Sequence, residues 1–205
     1  MGFTFDAPES LEGSTYMDKP GRFHFLVTDV REGRLPKGDQ GIEGFSVELE
    51  ALAGSEPSQV GKKTNIVLRN GQPGHQDGGA MCRRKQAAFL IAANLLTPSG
   101  LGRSGYDLDL EKARGAQIIA ELELGDEQSN GKRYLELAYA NIYHVDDPRA
   151  QPVPKAEESL GSIPEAFRHV GDEAYFAPLM PKQQQASAAA ASSAKGSSNG
   201  DYEGL

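Results

Sequence analysis

The succession of hydrophobic periods along the chain constrains its fold more tightly than any motif within it. The stretch "GRFHFLVTDVRE" (21–32) sets Phe23, Phe25 and Val27 against His24, Leu26 and Thr28, the spacing of a strand with two partly buried faces. "FSVELEAL" (45–52) alternates Phe45, Val47 and Leu49 inward with Ser46, Glu48 and Glu50 outward, and "GKKTNIVLRNG" (61–71) gives a third strand bounded by glycines. The period then changes. "AMCRRKQAAFLIAANLL" (80–96) is built from good helix formers and stops at "TPSG". From Ala87 to Leu96 it is apolar almost all round, so this helix is expected to be buried at one end. "AQIIAELEL" (116–124) and "RYLELAYANIYHV" (133–145) return to strand spacing across the polar turn "GDEQSNGK".

Three strands, a helix and two strands predict a mainly β protein: a five-stranded OB-fold barrel whose one helix, between strands 3 and 4, plugs the open end. Along the chain this divides into a flexible N-terminal arm (1–18), the barrel (19–149), a linker (150–181) and a low-complexity tail (182–205). Within the linker, "SIPEAFRHVGDEAYFAPLMP" carries enough apolar residues for a short helix that docks on its own barrel or on a neighbour. "KQQQASAAAASSAKGSSNG" cannot bury enough surface to offset its ordering entropy, so the C-terminal tail is expected to be disordered.

Composition bears on the partners. One cysteine, Cys82, excludes an internal disulfide framework and suits a reducing compartment. The first twenty residues lack a basic region followed by an apolar run, and "AAFLIAANLL" is too short to span a bilayer. The expectation is a cytoplasmic protein without a membrane partner. A formal net charge of −8 argues against nucleic acid when averaged. Its distribution argues otherwise: residues 60–85 carry Lys62, Lys63, Arg69, Arg83, Arg84 and Lys85 against Asp77 alone. A solvated face is the other reading of such a cluster.

On an OB barrel the ligand crosses the face of strands 2 and 3, clamped by loops 1–2 and 4–5. Here loop 1–2 supplies Arg31, Arg34 and Lys37, strand 3 supplies Lys62, Lys63 and Arg69, and loop 4–5 supplies Lys132 and Arg133. All are candidate phosphate contacts. Tyr134, Tyr139 and Tyr143 are candidate stacking platforms for bases, whereas Phe23 and Phe25 share a face with Val27 and read as core. Glu48 and Glu50 point from the outer face of strand 2 and would repel a phosphate chain. Arg83, Arg84 and Lys85 stand early in the helix, where the macrodipole disfavours cations; they either meet an anion or line a solvated turn.

No catalytic signature emerges. His75, Asp77 and Cys82 offer three metal-ligand types without a recognised zinc spacing, and the glycine-rich "NGQPGHQDGG" lacks the ending of a phosphate loop. The adjacent Asp146 and Asp147 read as a strand-ending turn. No enzyme activity, metal or cofactor is expected.

From "KPGRFHFLVTDV" through the helix to "YLELAYANIYHVDDP", the pattern resembles a family of small bacteriophage early proteins whose genes accompany recombination and replication functions. In layout, the whole chain is similar to phage and bacterial single-stranded DNA-binding proteins, with an N-terminal OB-fold, a linker and an acidic tip. That resemblance implies a non-catalytic, sequence-tolerant binder of single-stranded DNA that acts alone or as a homo-oligomer. It also implies that Asp201, Tyr202, Glu203 and Leu205 of the closing "GDYEGL" dock replication or recombination proteins. The tip has fewer acids than the bacterial pattern and lacks its closing Pro-Phe. An interaction or structural module on the same barrel, without nucleic acid, is the alternative. A third reading is an accessory subunit of a nuclease or deaminase holding metal at residues 75–82.

Overall fold

In a computed structural model, which describes residues 15–33, 44–69, 71, 78–127 and 131–180, the alternating segments become five antiparallel strands. They are β1 (Gly21–Glu32), β2 (Gly44–Gly54), β3 (Lys63–Arg69), β4 (Gln117–Leu124) and β5 (Leu135–His144), with helix α1 (Gly78–Ala92) between β3 and β4. They form one sheet in the order β3-β2-β1-β4-β5. β1 is central. It pairs with β2 from Phe23 to Glu32, but with β4 only from Gly21 to Leu26, so its two neighbours diverge along its length. Bulges after His24 and after Val27 bend it further. The result is a curled half-barrel.

Counting reversals from β1 makes β3 and β5 parallel to each other, and among the described residues no ladder joins them. α1 lies against both. Gln86 Nε2 donates to the Leu68 carbonyl of β3 at 3.3 Å, and Lys85 Nζ donates to the Leu137 carbonyl of β5 at 3.3 Å. One turn later Phe89 is fully buried beneath Phe45, ring centres 5.6 Å apart, among Phe25, Leu49, Leu68 and Ile118. Burying a phenylalanine contributes about 2–3 kcal/mol. The helix ends at Ala92, earlier than the apolar run suggests, because Asn94 takes a left-handed conformation (φ 59°) and Leu95 and Leu96 turn back to the Leu90 carbonyl.

The sheet is covered on its other face too. Ile119, Val145, Ala150, Val153 and Leu160 make a second, smaller core where residues 148–163 cross β4 and β5. The chain continues through α2 (Glu157–Leu160) and α3 (Glu173–Phe176) and docks on its own sheet, chiefly through polar anchors. Arg168 forks onto Asp146 (2.8 and 2.9 Å), which also accepts the His169 N–H at 2.8 Å. Burial opposes ionisation of Asp146, but Arg168 and that N–H outweigh it and hold the carboxyl below its ordinary range. His24 Nδ1 accepts the Ala156 N–H at 3.1 Å, and His144 Nε2 lies 3.0 Å from the Phe167 carbonyl. At the opposite margin, residues 15–17 pair with β3 through Met17 N–H to Lys63 O and Lys63 N–H to Thr15 O, both 2.8 Å.

Burial pushes the pKa of both His24 and His144 down to about 4. A histidine that is neutral in the fold and free to protonate when unfolded stabilises the protein above about pH 6.5, and that stability is lost as pH falls towards 4. The loss is on the order of 3 kcal/mol for each. Carboxylates held low by their partners, Glu48 and Asp146 among them, begin to lose their contribution only at the lower end of this window, as pH falls through their ordinary values. Thermal melts from pH 7 to 4.5 should therefore show a steady fall in Tm, which His144→Gln makes shallower. A Tm constant across that range would contradict the buried neutral imidazoles.

Candidate functional site

The face of β2 and β3 was expected to be the cationic track, and its charges prove to be paired. Lys63 Nζ meets Glu48 Oε1 at 2.8 Å, Lys62 Nζ meets Asp18 Oδ1 at 3.2 Å, and Arg31 Nε meets Asp29 Oδ2 at 2.6 Å. Asp29 also takes Arg114 at 2.6 Å. Lys63, and then Thr28, hold the Glu48 carboxyl below its ordinary range. Glu48 thus neutralises its neighbour instead of standing as a free repulsive charge. The pairs are solvent-exposed on at least one side, so each is weak and open to exchange of partners. Arg69 is exposed at the end of β3. Arg133 is spent on the backbone, donating to the Gly125 and Leu124 carbonyls (2.8 and 3.2 Å), while Lys132 is exposed beside it. Arg34 and Lys37, the possible ligands His75 and Asp77, and the tail residues Asp201, Tyr202, Glu203 and Leu205 lie outside the described residues.

Three of the expected residues do converge, elsewhere. Packing of the apolar half of α1 into the core leaves its first half along β5, where Arg84 Nη1 donates to the Tyr139 hydroxyl at 2.9 Å. Arg83 is exposed beside it. β5 is irregular here. Ala120 pairs with Ile142 and Leu122 with Leu137, so four residues, 138–141, oppose Glu121 alone. Within this bulge Tyr139 has φ 48°, and its side chain stands half exposed over the helix. Tyr143 follows, donating through its hydroxyl to Asn141 Oδ1 at 3.1 Å, with the Arg149 guanidinium 4.9 Å from its ring centre. Asn141 in turn donates to Glu121, which pairs with Arg22 at 2.9 Å.

Together α1, the bulge and the C-terminal segment enclose a cleft of about 410 Å³, a volume within the range of small-ligand sites. Ala87, Ala88, Ile91 and Ile142 make an apolar floor; Arg84 and Tyr139 form one lip, and Arg149 with Pro178 and Leu179 the other. Arg149 is fixed by the buried Asp147 at 2.6 Å and by the Leu179 carbonyl at 3.2 Å. Neither Arg149 nor the orienting role of Asp147 was foreseen. The string "VDDPR" carries the turn signal, and Asp147 does cap that turn through the Arg149 N–H at 2.9 Å, but nothing local says that Arg149 swings over Tyr143.

A second cavity of about 340 Å³ lies under Phe167, beside Asn94, His144 and Gln117. Asn94 bridges His144 (3.0 Å) and His169 (3.2 Å), and His169 stacks on Tyr175 at 3.6 Å. These groups bond to one another and fasten the C-terminal segment. His24 Nε2 and Gln117 Oε1 are buried without a partner in hydrogen-bonding geometry, and Gln117 opposes the burial-driven fall of the His24 pKa. Among the described residues no three His, Cys, Asp or Glu gather as a metal site, and no helix is long and apolar enough to cross a membrane. No protein-family model and no curated protein matches the chain.

The left-handed backbone at Tyr139 can be isolated by comparing two substitutions. Tyr139→Gly removes the side chain and tolerates φ 48°, whereas Tyr139→Val removes it and opposes that φ. The valine variant should be the less stable by about 1–2 kcal/mol in denaturant titration. Equal stabilities would contradict the bulge.

Proposed function

We propose that the protein binds single-stranded DNA without regard to sequence and without catalysis, covering exposed strands during replication or recombination. In this reading it is a phage-encoded OB-fold protein of the host cytoplasm. The observation that carries it is the meeting of Arg84, Tyr139 and Tyr143 at one preformed cleft, with Arg83 exposed alongside. Cations neutralise phosphates and release counterions, and aromatic rings accept any base because every base has a π-face. The sheet order, opened between β3 and β5 and bridged there by α1, suits the partly open five-stranded OB barrel.

The strand's track then runs over the lip of α1 and β5, and uses the paired cations of β2 and β3 only by exchanging their carboxylates for phosphates. Fluorescence anisotropy with labelled oligonucleotides at 50 and 200 mM salt tests this. Binding should weaken steeply with salt. Replacing Arg83 and Arg84 by alanine should shallow the log–log salt slope by about 1.4, at roughly 0.7 per single-strand phosphate contact. Replacing Lys62 and Lys63 should change it less, because each also releases a carboxylate. No binding at either salt would end the proposal.

The second reading, a protein-interaction or structural module, is favoured by the pairing of Lys62, Lys63 and Arg31 with Asp18, Glu48 and Asp29, which leaves the usual OB ligand face nearly neutral. Recovery of a protein partner after nuclease treatment, with no affinity for oligonucleotides, would select it. Under the leading reading, Asp201, Tyr202, Glu203 and Leu205 recruit replication or recombination proteins, and the chain works alone or as a homo-oligomer. Truncation after Gly200 should then leave or raise DNA affinity and abolish partner recruitment in a pull-down. An unchanged pull-down would refute the role of the tip.

A further inference from the structure

The cleft between α1 and β5 differs from the rest of the cationic surface in being concave, apolar at its floor and ringed by few charges. Its charged lining residues are Arg84, Asp147 and Arg149. Asp147 and Arg149 cancel through two contacts, 2.6 and 2.9 Å, and His144 at the base is neutral, leaving the single positive charge of Arg84. Beside that charge stands the half-exposed ring of Tyr139, which the bulge turns towards the helix. One cation, one free aromatic face and an apolar floor of about 410 Å³ match a ligand with one negative charge and one planar ring. A di- or triphosphate is too highly charged for this lining, and a bare apolar ligand would leave the charge of Arg84 uncompensated at the lip.

We infer that the cleft is a subsite for one nucleotide unit of a polynucleotide, its base laid between Tyr139 and the helix floor and its phosphodiester on Arg84. The inference rests on the DNA-binding reading above and deepens it: one base is withdrawn from the strand into the protein, while its neighbours meet only the outer cations. The subsite comes ready-made. Tyr139 is held by its left-handed backbone and by Arg84, and the far wall is held by Arg149 on the Leu179 carbonyl. Little order has to be created on binding, which favours affinity.

The full-length protein, titrated with a twelve-residue oligothymidylate and with the same oligomer carrying one abasic position at each site in turn, tests this. Tyr139→Gly, whose backbone suits the position, should bind the intact oligomer about five- to fiftyfold more weakly with an unaltered salt slope, since base stacking and not charge is lost. Tyr139→Phe, which keeps the ring but loses the hydroxyl that Arg84 holds, should bind more weakly than the parent and more tightly than Tyr139→Gly. Arg84→Ala should lower the slope by about 0.7. In the parent, one register of abasic substitution should weaken binding, and in Tyr139→Gly that penalty should vanish. If the parent binds the oligomer and Tyr139→Gly binds it equally well, the subsite is overturned while DNA binding stands. If the parent binds neither oligomer, both readings fall together.

Discussion

Two parallel edge strands with a gap between them are the constraint on which this molecule is built. β3 and β5 cannot be joined by a hairpin, and an open edge at either would leave the sheet's apolar face uncovered. α1 resolves both problems by lying across the gap, Phe89 inside and Gln86 and Lys85 bonded to carbonyls on either side. The apolar second half of the helix is anchored in this way, so its basic first half is fixed at the surface against β5. Arg84 reaches Tyr139 because Phe89 reaches the core. The candidate site is a consequence of closure, and any change that frees α1 would dissolve the cleft along with the fold.

Charge in this protein is organised by pairing. An excess of acids over bases coexists with a cationic lip because the acids near β2 and β3 are committed to local lysines and arginines, while Arg83 and Arg84 lie apart from them. The same device runs through the C-terminal segment, where Asp146 holds Arg168 and Asp147 holds Arg149. Those two adjacent carboxylates do different work. Asp146 pins the segment over the sheet, and Asp147 aims a guanidinium across the cleft. Neither requires catalysis to explain its burial.

Most of the architecture was legible in the sequence, because period-2 alternation and one long run of helix formers are local signals. The five strands and the helix stand where the pattern puts them, and Phe23 and Phe25 are core. What escaped was set by distance or by single residues. The helix stops at Ala92 because Asn94 accepts a left-handed turn that the apolar Leu95 and Leu96 do not advertise. "LELAYANIY" looks like an unbroken strand, yet residues 138–141 bulge against Glu121, a mismatch that depends on the register of β4 and not on β5 itself. Residues 148–180 carry no long amphipathic period because they are held by Asp146, His144, Asn94, Gln117 and His24, partners lying up to 132 residues away along the chain. Of the expected site residues, Arg84, Tyr139 and Tyr143 come together, and Lys62, Lys63 and Arg31 are engaged by carboxylates that an element-by-element reading could not match to them.

Under the proposed function, a single strand of DNA meets this protein at the lip of α1 and β5. Photocrosslinking locates that contact directly. An oligonucleotide carrying 5-iodouracil at successive positions, irradiated with the full-length protein and mapped by mass spectrometry, should attach to Tyr139, with weaker attachment at Tyr143. Crosslinks confined to the β2–β3 face, or none above background under conditions where the oligonucleotide is bound, would contradict the account.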